Sequence, residues 1–105
     1  MTLTVVLRSI ENVTQTKCLT CDCEIILSVF YQPDMSAGML FECSRYSSTT
    51  FYATLKRLAD NGVVVAHTDP KDRRSNVYRL NEPFQKAIEA VMVTERDAPS
   101  KLNHS

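Results

Sequence analysis

Two absences narrow the functions open to this chain. Its 105 residues include only two glycines, which argues against a low-complexity or disordered chain. No uncharged apolar run approaches the roughly 18 residues that a membrane-spanning helix requires. The one charge near the start, Arg8, follows the first apolar stretch, and no small-residue cleavage site comes after it, so a secretory signal is not expected. The length and composition predict one folded, cytoplasmic domain with no membrane segment.

Motifs for catalysis are absent as well. The sequence has no Ser/His/Asp arrangement, no paired-carboxylate motif and no glycine-rich phosphate loop. It is also too short for a TIM barrel or a complete dinucleotide-binding fold. The two histidines, His67 and His104, add no set of ligands or catalytic partners. The protein is therefore predicted not to be an enzyme.

The net charge is zero, but the charges are unevenly distributed. Segment 45–79 has seven basic residues against three acidic ones, whereas 1–44 has two against five and 80–105 has three against four. Because phosphate neutralisation drives most nucleic-acid affinity, the total alone would argue against such a partner. The basic middle segment instead indicates a localised electrostatic contact surface.

The first half of the chain is predicted to form three helices. Apolar residues at three- and four-residue spacing predict a helix over 3–13, and Thr20 is the expected N-cap of a second. Pro33 ends that second helix, because a proline disfavours helical geometry in the residue before it. A short third helix, capped by Asp34 or Ser36, is expected to turn three residues inward: Met39, Leu40 and Cys43.

The second half is predicted to contain a helix, a hairpin and a last helix. Ser47 is the expected N-cap of a helix over 48–61 that ends at Asn61-Gly62, with a core face of Phe51, Leu55 and Leu58. Two β-branched runs, 63–67 and 76–80, flank a charged turn and predict a hairpin with a basic tip. Asn81 can cap a final helix with the apolar stripe Phe84, Ala87, Ile88, Val91 and Met92.

This order of elements predicts a winged helix-turn-helix, mainly α with a small β-hairpin (α+β). One domain is expected over 1–96 and a flexible tail over 97–105. In such a unit the second helix of the pair is exposed on one face and fits a DNA major groove. The hairpin, or wing, then reaches the neighbouring minor groove or backbone.

Several stretches together resemble a known family. They are Leu19-Thr20, residues 44–52, residues 55–64 and, most diagnostic, the wing segment Asp69-Pro70-Lys71-Asp72-Arg73-Arg74. Over roughly residues 19–90 the chain resembles the MarR family of winged-helix transcriptional regulators. It departs from the family pattern at Arg45, where the turn usually has glycine, and in having no long C-terminal helices for dimerisation.

The resemblance implies a DNA-binding regulator with helix 48–61 in the major groove and the wing, 69–76, on the minor groove or backbone. The helix residues that it places on DNA are Ser48, Thr49, Thr50, Tyr52, Ala53 and Lys56. In the wing it implies that Arg73 or Arg74 enters the minor groove and that Asp72 orients an arginine. Lys71 and Arg79 are then candidate phosphate contacts. The physical chemistry agrees, because arginine suits narrow-groove contacts and hydroxyls mostly bind phosphates.

The partners expected are double-stranded DNA, a second copy of the chain and an effector. The apolar stripes over 3–13 and 84–92 exceed what a small core needs, so a homodimer through these two helices is predicted. The resemblance alone implies a small-molecule effector, often aromatic in this family. The alternative function is a winged-helix module for protein–protein contact with no operator of its own, which the neutral total charge favours.

The individual site residues also have plain structural explanations. Serines and threonines at a helix start are often only caps, and Tyr52 could pack on a neighbouring helix. Arg73 and Arg74 could lie in a solvated loop tip, paired with Asp69 and Asp72.

The four cysteines allow three interpretations and no cofactor is predicted from them. The first is reduced thiols in a cytosolic protein, with Cys43 in the core. The second is redox sensing, because Cys21 and Cys23 near a helix N-terminus would have a lowered pKa. The third is a site for zinc or an iron–sulfur cluster, although the second C-x2-C pair of a zinc ribbon is missing. Its ligands would be Cys18, Cys21, Cys23 and Cys43.

Overall fold

The structure, a computed structural model, describes residues 2–97. Except for its first residue, the predicted tail over 97–105 lies outside the described residues. The elements are α1 Leu3–Thr14, α2 Cys21–Tyr31, β1 Met35–Ser36, α3 Ala37–Glu42, α4 Ser48–Asp60, β2 Val64–Thr68, β3 Asn76–Leu80 and α5 Glu82–Asp97. This is the predicted winged helix-turn-helix, in which α3 and α4 form the helix pair and the β2–β3 hairpin forms the wing.

Hydroxyl caps determine where the central helices begin. Thr20, Ser36 and Ser47 each accept a hydrogen bond from the backbone N–H three residues further on, at 3.1, 3.2 and 3.3 Å. These bonds satisfy N–H groups that have no partner inside the helix. At the other end of α4 the chain reverses through Gly62, whose φ of 76° lies in the left-handed region that glycine adopts without strain. The caps predicted at Thr20, Ser36 and Ser47 and the end of α4 predicted at Asn61-Gly62 are therefore confirmed.

The hydrophobic core lies between α2, α4 and the sheet. Phe51 is fully buried, and the inward positions of Phe51, Leu55 and Leu58 on α4 are confirmed. The two residues α2 places deepest in the cluster are Ile25 and Val29. The remaining buried members are Cys21, Met35, Leu40, Val64 and Leu80. This packing leaves the opposite face of α4 uncovered.

The sheet has a third strand that the sequence pattern did not predict. β1 pairs antiparallel with β3, with Met35 opposite Tyr78, so the strand order is β1-β3-β2. β3 also pairs antiparallel with β2, with Val64 opposite Leu80. Two residues are too few to show the alternation that predicts a strand. The strand nevertheless ties the start of α3 to the wing.

Two of the three inward positions predicted for the short third helix were wrong. Leu40 is buried, but Met39 is 53% exposed and Cys43 is exposed. α3 has only six residues, so one narrow side of it meets the core. Cys43 follows the end of this helix and therefore does not belong to the core.

Both terminal helices carry apolar side chains that the rest of the described chain does not cover. On α1 these are Val5, Ile10 and Val13, the last of which is 84% exposed. On α5 they include Phe84 and Val91. Among residues 2–97 no helix combines the length and apolarity needed to cross a membrane.

Candidate nucleic-acid interface

The outward face of α4 is polar and open to solvent. All six residues of this helix predicted to contact DNA are exposed: Ser48, Thr49, Thr50, Tyr52, Ala53 and Lys56. The hydroxyl of Thr54, on the buried side, donates to the carbonyl of Thr50 at 2.8 Å and so stays within the helix. A rigid helix with one such face has the form needed to enter a major groove.

Tyr52 combines the two interpretations that the sequence left open. Its ring packs on Phe41 of α3 with a centroid distance of 5.7 Å and meets Phe51 edge-on at 5.0 Å. It is nevertheless 44% exposed. The ring therefore braces the helix pair while part of it faces solvent.

The tip of the wing presents cations and uses its carboxylates internally. Asp69 Oδ1 accepts from the backbone N–H of Lys71 at 2.9 Å, and Asp72 Oδ1 accepts from the backbone N–H of Arg74 at 3.0 Å. Asp72 Oδ2 also accepts from the hydroxyl of Ser75 at 3.2 Å. The two aspartates thus stabilise the turn by Asx-type bonds.

These turn bonds bear on the wing arginines. The side chains of Arg73 and Arg74 are exposed and form no ion pair with any residue that the structure describes. Pairing with Asp69 and Asp72, the alternative suggested by the sequence, is not observed. Asp72 binds the backbone of the turn and not an arginine side chain.

Arg79 and Lys56, two other predicted contacts, already have acidic partners. Arg79 in β3 forms a two-bond ion pair with Asp34, in which Nη2 donates to Oδ2 at 2.9 Å and Nε donates to Oδ1. The hydrogen bond from Arg79 lowers the pKa of Asp34, and the same bond raises the pKa of Arg79. Lys56 Nζ lies 3.5 Å from Asp60 one turn further along α4, a weak exposed pair. Binding a phosphate requires each cation to leave its carboxylate or share it.

The strongest electrostatic cluster of the region centres on Arg45, in the turn between α3 and α4. Its Nη2 donates to Glu11 Oε2 at 2.8 Å and its Nε to Glu24 Oε2 at 2.5 Å. The carboxylates come from α1 and α2 and are buried, at 7% and 2% exposed. Arg8 Nη2 also lies 3.3 Å from Glu24 Oε1. The turn is therefore joined to α1 and α2 by ion pairs.

Backbone groups complete this Arg45 cluster. Glu11 Oε2 accepts from the backbone N–H groups of Cys18 and Leu19 at 2.6 and 2.7 Å. Bonding to Arg45, and then to these N–H groups, lowers the pKa of Glu11 to about 2. Next to Arg45, the hydroxyl of Tyr46 donates to the carbonyl of Leu19 at 2.7 Å. The sequence marked Arg45 only as a departure from glycine, and nothing in the local pattern around Glu11 indicated that it is buried.

The four cysteines differ in exposure, and they form no metal centre within residues 2–97. All four are free, with Cys21 buried and Cys18 and Cys43 exposed. No group of three or more potential ligand side chains comes together in the described part of the chain. The lowered pKa expected for Cys23 was wrong. Burial, followed by the charges of Glu24 and Asp22, raises the pKa of this thiol, because these effects oppose the field of the helix N-terminus.

A helix pair with an exposed second helix and a basic wing defines the winged-helix class of nucleic-acid-binding folds. No family model and no curated protein matches the sequence. Solved structures do match. MarR is 19% identical over 95% of this chain and 77% of that chain, with a TM-score of 0.59. Transcriptional regulator Tm0710 from Thermotoga maritima is 18% identical over 92% and 66%, with a TM-score of 0.66.

A third matching structure is that of Bordetella bronchiseptica BpsR, whose DNA binding is regulated by 6-hydroxynicotinic acid. It is 14% identical over 87% of this chain and 65% of that chain, with a TM-score of 0.60. At such identities the similarity is one of fold. The resemblance to the MarR family indicated by the motifs is thus confirmed at the level of the fold, as is the predicted winged helix-turn-helix.

Proposed function

We propose that this chain is a MarR-like, DNA-binding transcriptional regulator that acts in the cytoplasm, with α4 in the major groove and the wing beside it. The observation that carries the proposal is the wing tip. Its two aspartates are used by the backbone of the turn, which leaves Arg73 and Arg74 exposed and unpaired among the described residues. Two exposed guanidinium groups at the tip of a short hairpin suit a narrow groove or a phosphate row.

Binding to a random duplex over a range of salt concentrations tests this function. We expect the logarithm of affinity to fall linearly with the logarithm of salt concentration. The double variant Arg73→Ala/Arg74→Ala should reduce the slope by about 0.9 for each phosphate that the wing no longer neutralises. Lys86→Ala, compared after scaling for one charge lost instead of two, is the control, because it removes an exposed positive charge from α5, where Lys86 pairs with Glu82 at 3.0 Å.

The outcome separates the regulator from the protein-interaction module. If the unmodified chain shows no affinity for DNA even at low salt, the regulator proposal is lost and the interaction module takes its place. If it binds but the double variant matches the control, the wing is not part of the interface. Changes in α4 should alter binding selectively between sequences, whereas removing a cation that binds phosphate should weaken binding uniformly.

A homodimer formed through the terminal helices accompanies this proposal. The uncovered apolar side chains of α1 and α5, Val13 and Val91 among them, support it, because exposed apolar surface can mark a site of association. Sedimentation equilibrium of the full chain checks the assembly, and a monomer at all concentrations would exclude it. BpsR is a precedent for a small-molecule effector, which release of bound DNA by small aromatic acids would reveal. A redox effector has less support, since the pKa of Cys23 is raised.

A further inference from the structure

The turn before α4 is held from two directions by one side chain. Arg45 is two residues before Ser47, the N-cap of α4, and its guanidinium bonds Glu11 of α1 and Glu24 of α2. We infer that Arg45 is a positioning residue for DNA recognition, which sets the angle of α4 by clamping the turn to α1 and α2. This inference rests on the proposed function.

The bonds of the clamp are directional. A guanidinium is planar and its donors are fixed in a fork, so it bonds two carboxylates in only a narrow range of orientations. Glu11 and Glu24 are themselves held in place: both are buried, Glu11 accepts from the backbone N–H of Leu19, and Glu24 forms an ion pair with Arg8. The position of the turn is therefore determined by α1 and α2, and little chain separates that turn from the first residue of α4.

A second side chain of the turn, Tyr46, is held as well. The Tyr46 hydroxyl donates to the Leu19 carbonyl at 2.7 Å, and Arg45 Nη2 lies 3.3 Å from the same oxygen. Arg45 and Tyr46, both in the turn before α4, thus share one acceptor, the carbonyl of Leu19, which lies two residues before α2. A glycine at position 45 would keep the Tyr46 bond and remove the ion pair that joins this turn to α1.

Because Glu11 and Glu24 are negatively charged, an experiment can distinguish their effect on the position of α4 from their direct electrostatic effect on DNA binding. Glu11 and Glu24 repel phosphate, so replacing either with neutral glutamine should strengthen DNA binding if long-range electrostatics alone operate. If they act through Arg45 on α4, the same replacement should weaken binding. The two explanations predict opposite signs.

The experiment compares Glu11→Gln, Glu24→Gln and Arg45→Lys in the full chain, using one duplex at fixed salt and a temperature at which circular dichroism shows each variant folded. Each variant should bind roughly tenfold more weakly, a size typical of coupling between separate sites. Arg45→Lys keeps the positive charge but removes the planar set of guanidinium donors. If a glutamate variant does not fold, Arg45→Lys still tests the inference. Glu42→Gln is the control, because it removes an exposed carboxylate at the end of α3, and its affinity should stay the same or rise slightly.

Two results would overturn the inference. One is binding by folded glutamate variants that equals or exceeds that of Glu42→Gln, and the other is full affinity in Arg45→Lys. Failure of the unmodified chain to bind DNA at low salt would instead remove the proposed function itself.

Discussion

Replacing Asp34 with asparagine should strengthen DNA binding, because Asp34 forms an ion pair with Arg79 of the wing and so competes with phosphate for its guanidinium. Both donors of the Arg79 fork bond its carboxylate, and both side chains are about half exposed. The substitution is mild for the backbone. Asp34 has a φ of 68°, a left-handed conformation that asparagine tolerates as well as aspartate does. Its N–H donates to the Tyr78 carbonyl at 3.1 Å, and this bond is kept.

The size of the effect follows from counterion release. A freed Arg79 that binds one phosphate adds about 0.9 to the magnitude of the log–log salt slope. If the affinity extrapolated to 1 M salt is unchanged, that slope raises binding about 8-fold at 0.1 M salt and about 4-fold at 0.2 M. The increase should therefore shrink predictably as salt is added.

Fluorescence anisotropy with a labelled random duplex over a salt series measures both affinity and slope. The double variant Asp34→Asn/Arg79→Gln should show no such increase, and Glu89→Gln, which removes a carboxylate from α5, should not reproduce it. An unchanged slope in Asp34→Asn would show that Arg79 lies away from the phosphates. An increase that persists in the double variant would refute the reasoning that links the two residues.

Two further predictions concern stability. The pKa of Glu11 is lowered to about 2 in the folded protein from an ordinary 4.5. Ionised Glu11 therefore adds to the free energy of unfolding above about pH 4.5, and this stabilisation is lost as pH falls towards 2. Denaturant titrations at stepped pH should show this fall, and Glu11→Gln should flatten it; parallel curves would contradict the assignment. Phe51→Ala should lower the free energy of unfolding by about 3–5 kcal/mol, the usual cost of a large core cavity. The neighbouring Tyr52→Ala should cost clearly less, since Tyr52 is 44% exposed, and equal effects of the two substitutions would place Tyr52 in the core.

Local features of the sequence were sufficient to predict most of the fold. Thr20, Ser36 and Ser47 cap helices through bonds that span three residues, so the signal and its effect lie together in the chain. The apolar spacing of Phe51, Leu55 and Leu58 likewise identified the buried face of α4. The opposite face of α4 was thereby identified as the one available to a DNA groove.

Features that depend on distant partners could not be predicted in this way. β1 exists because Met35 lies opposite Tyr78, more than forty residues later. Glu11 looks like a solvated residue beside an apolar stripe, and its burial requires Arg45, 34 positions away. The pairing of Arg79 with Asp34 spans 45 positions. Exposure of Cys43 follows from where α3 ends, which a short helix signals poorly.

The way in which α1 is joined to the rest of the protein has a consequence for which residues vary together among homologues. The only residue of α1 that is buried is a carboxylate, and within the described chain α1 supplies no member of the hydrophobic core. Positions 11, 24 and 45 should consequently vary together, because Arg45 bonds both carboxylates and its loss removes an ion pair from each of them. Homologues should therefore keep all three or exchange them together, and a homologue with glycine at position 45 should carry an uncharged residue at position 11.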